Sequence, residues 1–252
     1  MELIVCGGKY FMLRTIAWYT HFATSLIGKI PGIYKVKSLD KKGLTKEKEE
    51  YVHKVTSKWA MSHIKLSGAK INVFGAENIP KDIPVLFVSN HQSNFDIAIF
   101  MSYIDKPKGY ISKIEMQKVP ILKTWMEYMN CIFMDRNNLR KSASAIIDGV
   151  KILKSGYSLV IFPEGTRSKG DNIGDFKAGS FKLATKSKVP IVPVTIDGSY
   201  KLMEANGNKI KPGEVNVYIH PMVDTKDLTK EDETLLPNKV KEIIKSKLPK
   251  IN

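Results

Sequence analysis

Cysteine is scarce in this chain, acidic residues are outnumbered, and no apolar run is long and unbroken; each shortage narrows what the protein does. Cys6 and Cys131 are the two cysteines among 252 residues. They stand far apart without Cys-x-x-Cys spacing, which excludes a disulfide framework and a cysteine zinc site and suits a reducing compartment. The five histidines are scattered too: His21, His53, His63 and His220 make no ligand spacing, so no metal is expected. The most apolar stretch, Tyr10 to Ile30, is interrupted by Arg14, His21 and Lys29. It falls short of the roughly 20 apolar residues that span a bilayer and reads as a helix lying in the interface or entering one leaflet. With no positive cluster in Met1 to Gly8 and no convincing small-residue cleavage site, a secretory leader is not expected. Only 25 acidic residues face 40 basic ones, leaving a formal charge of +15. That charge calls for an anionic partner: nucleic acid, an acidic membrane surface or a phosphorylated small molecule. Aromatics do not interleave with the lysines as a stacking series, which disfavours nucleic acid.

What is present reads as an α/β chain, a central and mostly parallel sheet flanked by helices, behind an N-terminal two-helix hairpin over residues 1–66. Pro31-Gly32 breaks the first helix, and Lys29 to Lys70 then holds eleven lysines against four acidic residues, a basic segment suited to anionic headgroups. Thr45 to Leu66 reads as the second helix, with Val52, Val55, Trp59 and Ile64 on its apolar stripe. Residues 67–252 alternate strands and helices. Strands are expected at Ile71–Gly75 (an edge), Ile83–Val88, Tyr110–Ser112, Cys131–Met134, Tyr157–Phe162, Val189–Val194 and Val215–Ile219. Helices are expected from Ile97, over Val119–Asn130 and Leu139–Lys154, through Phe181–Ala184, and near Lys239–Leu248. Pro190 and Pro193 argue that their strand lies at an edge or carries a bulge.

Polar chemistry gathers where strands end. Ser89-Asn90-His91-Gln92-Ser93-Asn94-Phe95-Asp96 follows the buried strand Ile83–Val88. A sharp turn through Gln92 to Asn94 would return the Asp96 carboxylate to one nitrogen of His91 and leave the other facing a substrate, a general-base pair. Arg136 follows the strand Cys131–Met134, and Glu164-Gly165-Thr166-Arg167 follows Tyr157–Phe162. Parallel strands would bring these ends to one crevice, where arginine grips phosphate with paired donors and glycine admits a ligand to the backbone. Glu164 would hold an arginine or an acceptor hydroxyl, and Lys177 is a further candidate cation. Plainer readings stand beside each: His91 as a cap, Arg136 paired with Asp135, Glu164 bridged to Arg167.

In order along the chain, Asn90–Asp96, Ile132–Arg136, Phe162–Ser168 and Val189–Val194 resemble the four motifs of the glycerophospholipid acyltransferases, specifically the 1-acylglycerol-3-phosphate acyltransferase family. The resemblance implies His91 as general base oriented by Asp96, and a glycerol-phosphate site at Arg136, Glu164, Gly165 and Arg167, with Thr166 inside the same motif; Lys177 stays a candidate from its own position alone. It implies direct acyl transfer from coenzyme A or acyl-carrier protein to the sn-2 hydroxyl of lysophosphatidate, with no cofactor, at the cytoplasmic face of the cell membrane. Ser93 or Cys131 as the nucleophile of a two-step route is disfavoured, because an alcohol acceptor with a histidine base needs no acyl-enzyme. Another lysophospholipid or glycerol 3-phosphate as acceptor, and a silent lipid-binding module, remain as alternatives.

Overall fold

The computed structural model describes residues 2–249, with side chains from residue 11 onward, so the Cys6 thiol lies outside the described residues. Three helices come first: α1 (Glu2–Ile27), α2 (Ile30–Lys41) and α3 (Thr45–Ser67). The expected pair is α1 and α3. The segment between them, expected only as basic chain after a helix break, is itself helical. Pro31 does end one helix, but it sits in the first turn of the next, where a missing amide costs nothing. Gly68 stops α3 in the left-handed conformation.

The remainder runs β1 (Lys70–Phe74), β2 (Leu86–Ser89), α4 (Phe95–Tyr103), β3 (Lys108–Lys113), α5 (Pro120–Tyr128), β4 (Ile132–Met134), α6 (Leu139–Lys154), β5 (Ser158–Ile161), α7 (Lys182–Ser187), β6 (Ile191–Asp197), β7 (Glu214–Ile219) and α8 (Lys230–Lys245). Short 3-10 turns fill several connections. The strands form one seven-stranded sheet in the order β1-β7-β6-β2-β5-β3-β4. All neighbours are parallel except β6 and β7.

Two apolar layers cover the sheet, and the alternation within each strand assigns its side chains between them. Along β2 and β5 and the residues flanking them, Val85, Phe87, Val160 and Phe162 face the layer built with α1 to α5, while Leu86, Val88, Leu159 and Ile161 face α6, α7 and α8. Val36, Val52, Ala60 and Ile64 of α2 and α3 belong to the same core as Phe95, Ile99 and Phe100 of α4. The N-terminal helices are therefore packed onto the α/β body through a shared apolar interior.

Two expectations change. The strand with Pro190 and Pro193 is β6, an interior strand between β7 and β2 rather than an edge; the expected alternative, a bulge, is what is found, since the pairing shifts by one residue between Val194–Ile219 and Ile191–Val223. Pro193 is tolerated because its carbonyl accepts from His220 N while its nitrogen falls where the ladder with β7, which runs from Val194 to Asp197, has ended. The last helix starts at Lys230, well before Lys239. A capping box of Thr229 and Asp232 fixes that start, and Pro237 lies within the helix.

Gly109 on β3 lets the backbone run close beneath the turn after α5: a Cβ there would stand 2.5 Å from the Asn130 carbonyl oxygen and 2.7 Å from that of Met129. Gly109→Ala should therefore cost about 1–3 kcal/mol through backbone displacement, read as a lower denaturant midpoint with unchanged m-value.

Candidate functional site

Ser89 ends β2 in the middle of the sheet, and the next residue secures the chain to its neighbour. Asn90 mimics a strand rung: its side-chain amide donates to the Ile196 carbonyl at 2.8 Å, and its side-chain oxygen accepts from Ile196 N at 2.9 Å. The chain then turns through Gln92 and Ser93 into α4. Asp96, in the first turn of that helix, is fully buried.

Burying a carboxylate is costly unless its oxygens are filled with donors. Here Asp96 Oδ2 accepts from His91 Nδ1 at 2.7 Å, Gln92 N at 2.7 Å and Ser93 N at 2.9 Å, and Oδ1 accepts from the Ser199 hydroxyl. Because the carboxylate only accepts, His91 carries its proton on Nδ1, and the Nε2 lone pair is free. The imidazole stacks on Phe162 with centroids 4.2 Å apart, which fixes the ring plane.

The other amides of the turn are also taken. His91 N donates to Glu164 Oε1 at 2.7 Å, Asn94 N to Glu204 Oε1 at 3.0 Å, and Phe95 N to the Ser93 hydroxyl at 3.1 Å. Five successive backbone donors, 91 to 95, thus position the turn, and none points at a reacting atom. The hydroxyl of Ser93 donates to Glu204 Oε2 at 2.6 Å, so it is not poised as a nucleophile. Burial pushes the Cys131 thiol up to about 12, which leaves negligible thiolate at neutral pH.

The strand ends meet as expected. His91, Arg136, Thr166 and Arg167 line one cavity of about 620 Å³. Arg136 donates to the Gly165 carbonyl; burial lowers its pKa and the charge of Glu115 opposes the shift. Arg167 pairs with Glu204 at 2.8 Å rather than with Glu164. Gly165 makes the turn with φ +73°, and a Cβ on it would meet Lys177 Nζ at 2.9 Å. Glu164, Gly165 and Lys177 are not among the cavity-lining residues; Lys177 packs against Gly165, and Glu164 against Gly174. Glu164 holds neither arginine. Its oxygens take the amides of His91 and Gly174, the latter at 2.8 Å. Burial raises its pKa, and those two amides pull it back down.

Beyond the arginines the lining is mostly apolar. Trp18, Phe22 and Leu26 of α1 and Val55, Trp59 and His63 of α3 form one side; Leu122, Trp125, Met126 and Met129 continue it beyond His91. Lys29 and Lys113 also line it. Among the described residues no group of three or more His, Cys, Asp or Glu is placed to hold a metal ion. Sequence reading missed Ser199 and Glu204, which lie in a polar loop without a motif of its own.

A sequence profile of the family described as "Acyltransferase" matches residues 70–197. The 1-acyl-sn-glycerol-3-phosphate acyltransferase of Borreliella burgdorferi is 32% identical over 186 residues, 74% of either chain. This chain belongs to the 1-acyl-sn-glycerol-3-phosphate acyltransferase family. A probable enzyme of that name from Mycoplasma pneumoniae is 41% identical over 145 residues, which cover 56% of this chain and 54% of that protein. The crystal structure of the 1-acyl-sn-glycerophosphate acyltransferase PlsC from Thermotoga maritima superposes with a TM-score of 0.82 at 29% identity, over 95% of both chains. The acyltransferase fold therefore extends through the N-terminal helices as well as the motif-bearing sheet.

His63 borders the cavity among Trp18, Phe22 and Trp59, its Nδ1 2.8 Å from the Trp59 carbonyl oxygen. Burial lowers its pKa from 6.5, and does the same for His53 and His220. The unfolded chain then binds more protons than the folded one between the depressed values and 6.5, so stability rises with pH through that window and is lost as pH falls below about 6.5. Denaturant midpoints between pH 7 and pH 5 should fall for the intact protein, and less steeply for His63→Gln.

Proposed function

We propose that the protein transfers an acyl group from a thioester of coenzyme A or acyl-carrier protein to the sn-2 hydroxyl of 1-acylglycerol 3-phosphate, giving phosphatidate. The observation that carries this reading is the His91–Asp96 pair, closed on one side by a fully donor-saturated carboxylate and open on the other to a cavity with arginines at one end and apolar walls beyond. His91 Nε2 takes the hydroxyl proton as the oxygen attacks the thioester carbonyl. Asp96 stabilises the imidazolium through Nδ1. The tetrahedral adduct collapses with cleavage of the C–S bond, and the proton passes from Nε2 to the leaving thiolate.

Arg136 and Arg167 hold the acceptor phosphate at the cavity wall, with Thr166 beside them. Glu164 and Gly165 act on the substrate indirectly, by shaping the turn that presents Thr166 and Arg167; Lys177 packs over that turn. Holding the hydroxyl beside the base lowers the barrier by up to about 10 kcal/mol in favourable cases.

Residues 1–66 are the membrane-docking element and 67–252 the catalytic α/β body. No described helix is long and apolar enough to cross a bilayer. Instead Met12, Leu13, Ile16, Tyr19 and Ile27 of α1 and Tyr34 of α2 are exposed along one side, next to Lys35, Lys37, Lys41 and Lys42. An exposed apolar stripe bordered by lysines suits peripheral attachment to an anionic leaflet. Cytoplasmic thioester donors place that leaflet at the cytoplasmic face.

Transfer of labelled acyl groups from each donor to 1-acylglycerol 3-phosphate, with glycerol 3-phosphate as rival acceptor, tests the assignment. Phosphatidate should form with the intact protein and fall by at least about 100-fold with His91→Ala. Absence of product from both donors would overturn the assignment. Separately, Leu13→Glu with Ile16→Glu should release the protein from floating anionic liposomes; undiminished flotation would remove α1 from the docking surface.

A further inference from the structure

Glu204 lies in the loop between β6 and β7 and belongs to none of the motif segments. Its side chain is only 2% exposed. Oε1 accepts from Arg167 Nη1 at 2.8 Å and from Asn94 N at 3.0 Å; Oε2 accepts from the Ser93 hydroxyl at 2.6 Å. One carboxylate therefore ties the arginine at the cavity wall to the turn that separates His91 from Asp96.

We propose that Glu204 is the positioning residue that makes the acceptor's phosphate site and the catalytic base a single rigid unit. This deepens the acyltransferase reading and rests on it. The two arginines of the site differ in their partners. Among the described residues Arg136 has only a carbonyl as its hydrogen-bond acceptor, so its positive charge is uncompensated by a bonded carboxylate. Arg167 is neutralised by Glu204 and fixed in direction by it. Arg136 therefore supplies the attraction for the phosphate, and Arg167 supplies its orientation.

A long arginine side chain that is 31% exposed would sample several rotamers if nothing held its head. Each would place the phosphate, and with it the neighbouring sn-2 hydroxyl, at a different distance from His91 Nε2. By gripping Ser93 and Asn94 with the same carboxylate, Glu204 references the guanidinium to the catalytic turn rather than to a distant part of the fold. Glu204 itself touches no reacting atom.

The test is steady-state kinetics on the full chain with lysophosphatidate and acyl donor varied in turn, for the wild type, Glu204→Gln, Arg167→Ala and the double variant. The glutamine keeps the volume and removes the charge. Expected is a fall in kcat/KM for lysophosphatidate of at least about tenfold in Glu204→Gln, with the donor KM unchanged. In the Arg167→Ala background the same change should cost much less, because the group through which Glu204 acts is gone. An equal factor in both backgrounds, or an equal rise in the donor KM, would reduce Glu204 to a structural brace and overturn the proposal. Should Glu204→Gln fail to fold, Ser93→Ala in the same cycle with Arg167→Ala gives the reading, non-additivity supporting the proposal and additivity refuting it. A wild type that makes no phosphatidate would instead refute the acyltransferase assignment, an outcome separate from either result of the cycle.

Discussion

Keeping a charged carboxylate in the centre of the molecule is the constraint on which the rest of the structure depends. Asp96 has no exposure, and its donors come from two pieces of the fold: the imidazole and two amides of the turn after β2, and a hydroxyl from the loop after β6. An unsatisfied buried carboxylate would cost several kcal/mol, comparable with the whole stability of a domain. The turn, α4 and the loop are thus committed to one arrangement, and the open nitrogen of His91 follows from it.

A second layer of carboxylates surrounds the first. Glu164 and Glu204 flank the same turn from opposite neighbours, β5 and the loop after β6, and between them they absorb the amides of His91 and Asn94. These groups hold the protein's own backbone rather than the substrate. The site's positive charge is left to the arginines and to Lys29 and Lys113, which also line the cavity. Negative charge thus serves geometry, while the cavity lining is left with a surplus of positive charge, in keeping with an overall excess of basic residues.

Much of this was legible because it is local. The apolar run before Ser89, the regular stripe of Leu139–Lys154 and the five-residue step from His91 to Asp96 are each contained within one element or one turn. What the sequence concealed is non-local. Ser93 and Glu204 meet across 111 positions, and a glutamate in a polar loop carries no sign of its partner. The interior place of β6 was masked by its prolines, since the pairing that excuses Pro193 is made by residues after β7. Pro237 likewise hid the first half of α8, although Thr229 and Asp232 announce its start.

Helix α1 turns one side to the cavity through Trp18, Phe22 and Leu26 and the other to the exterior through Leu13, Ile16 and Ile27. A single helix thus walls the cavity with one face and presents an apolar stripe to the exterior with the other. One inserted or deleted residue would rotate all that follows by about 100°, taking Trp18, Phe22 and Leu26 out of register with Leu13 and Ile16. The spacing that carries Leu13 and Ile16 to Trp18 is therefore held in phase by the two surroundings that one helix serves.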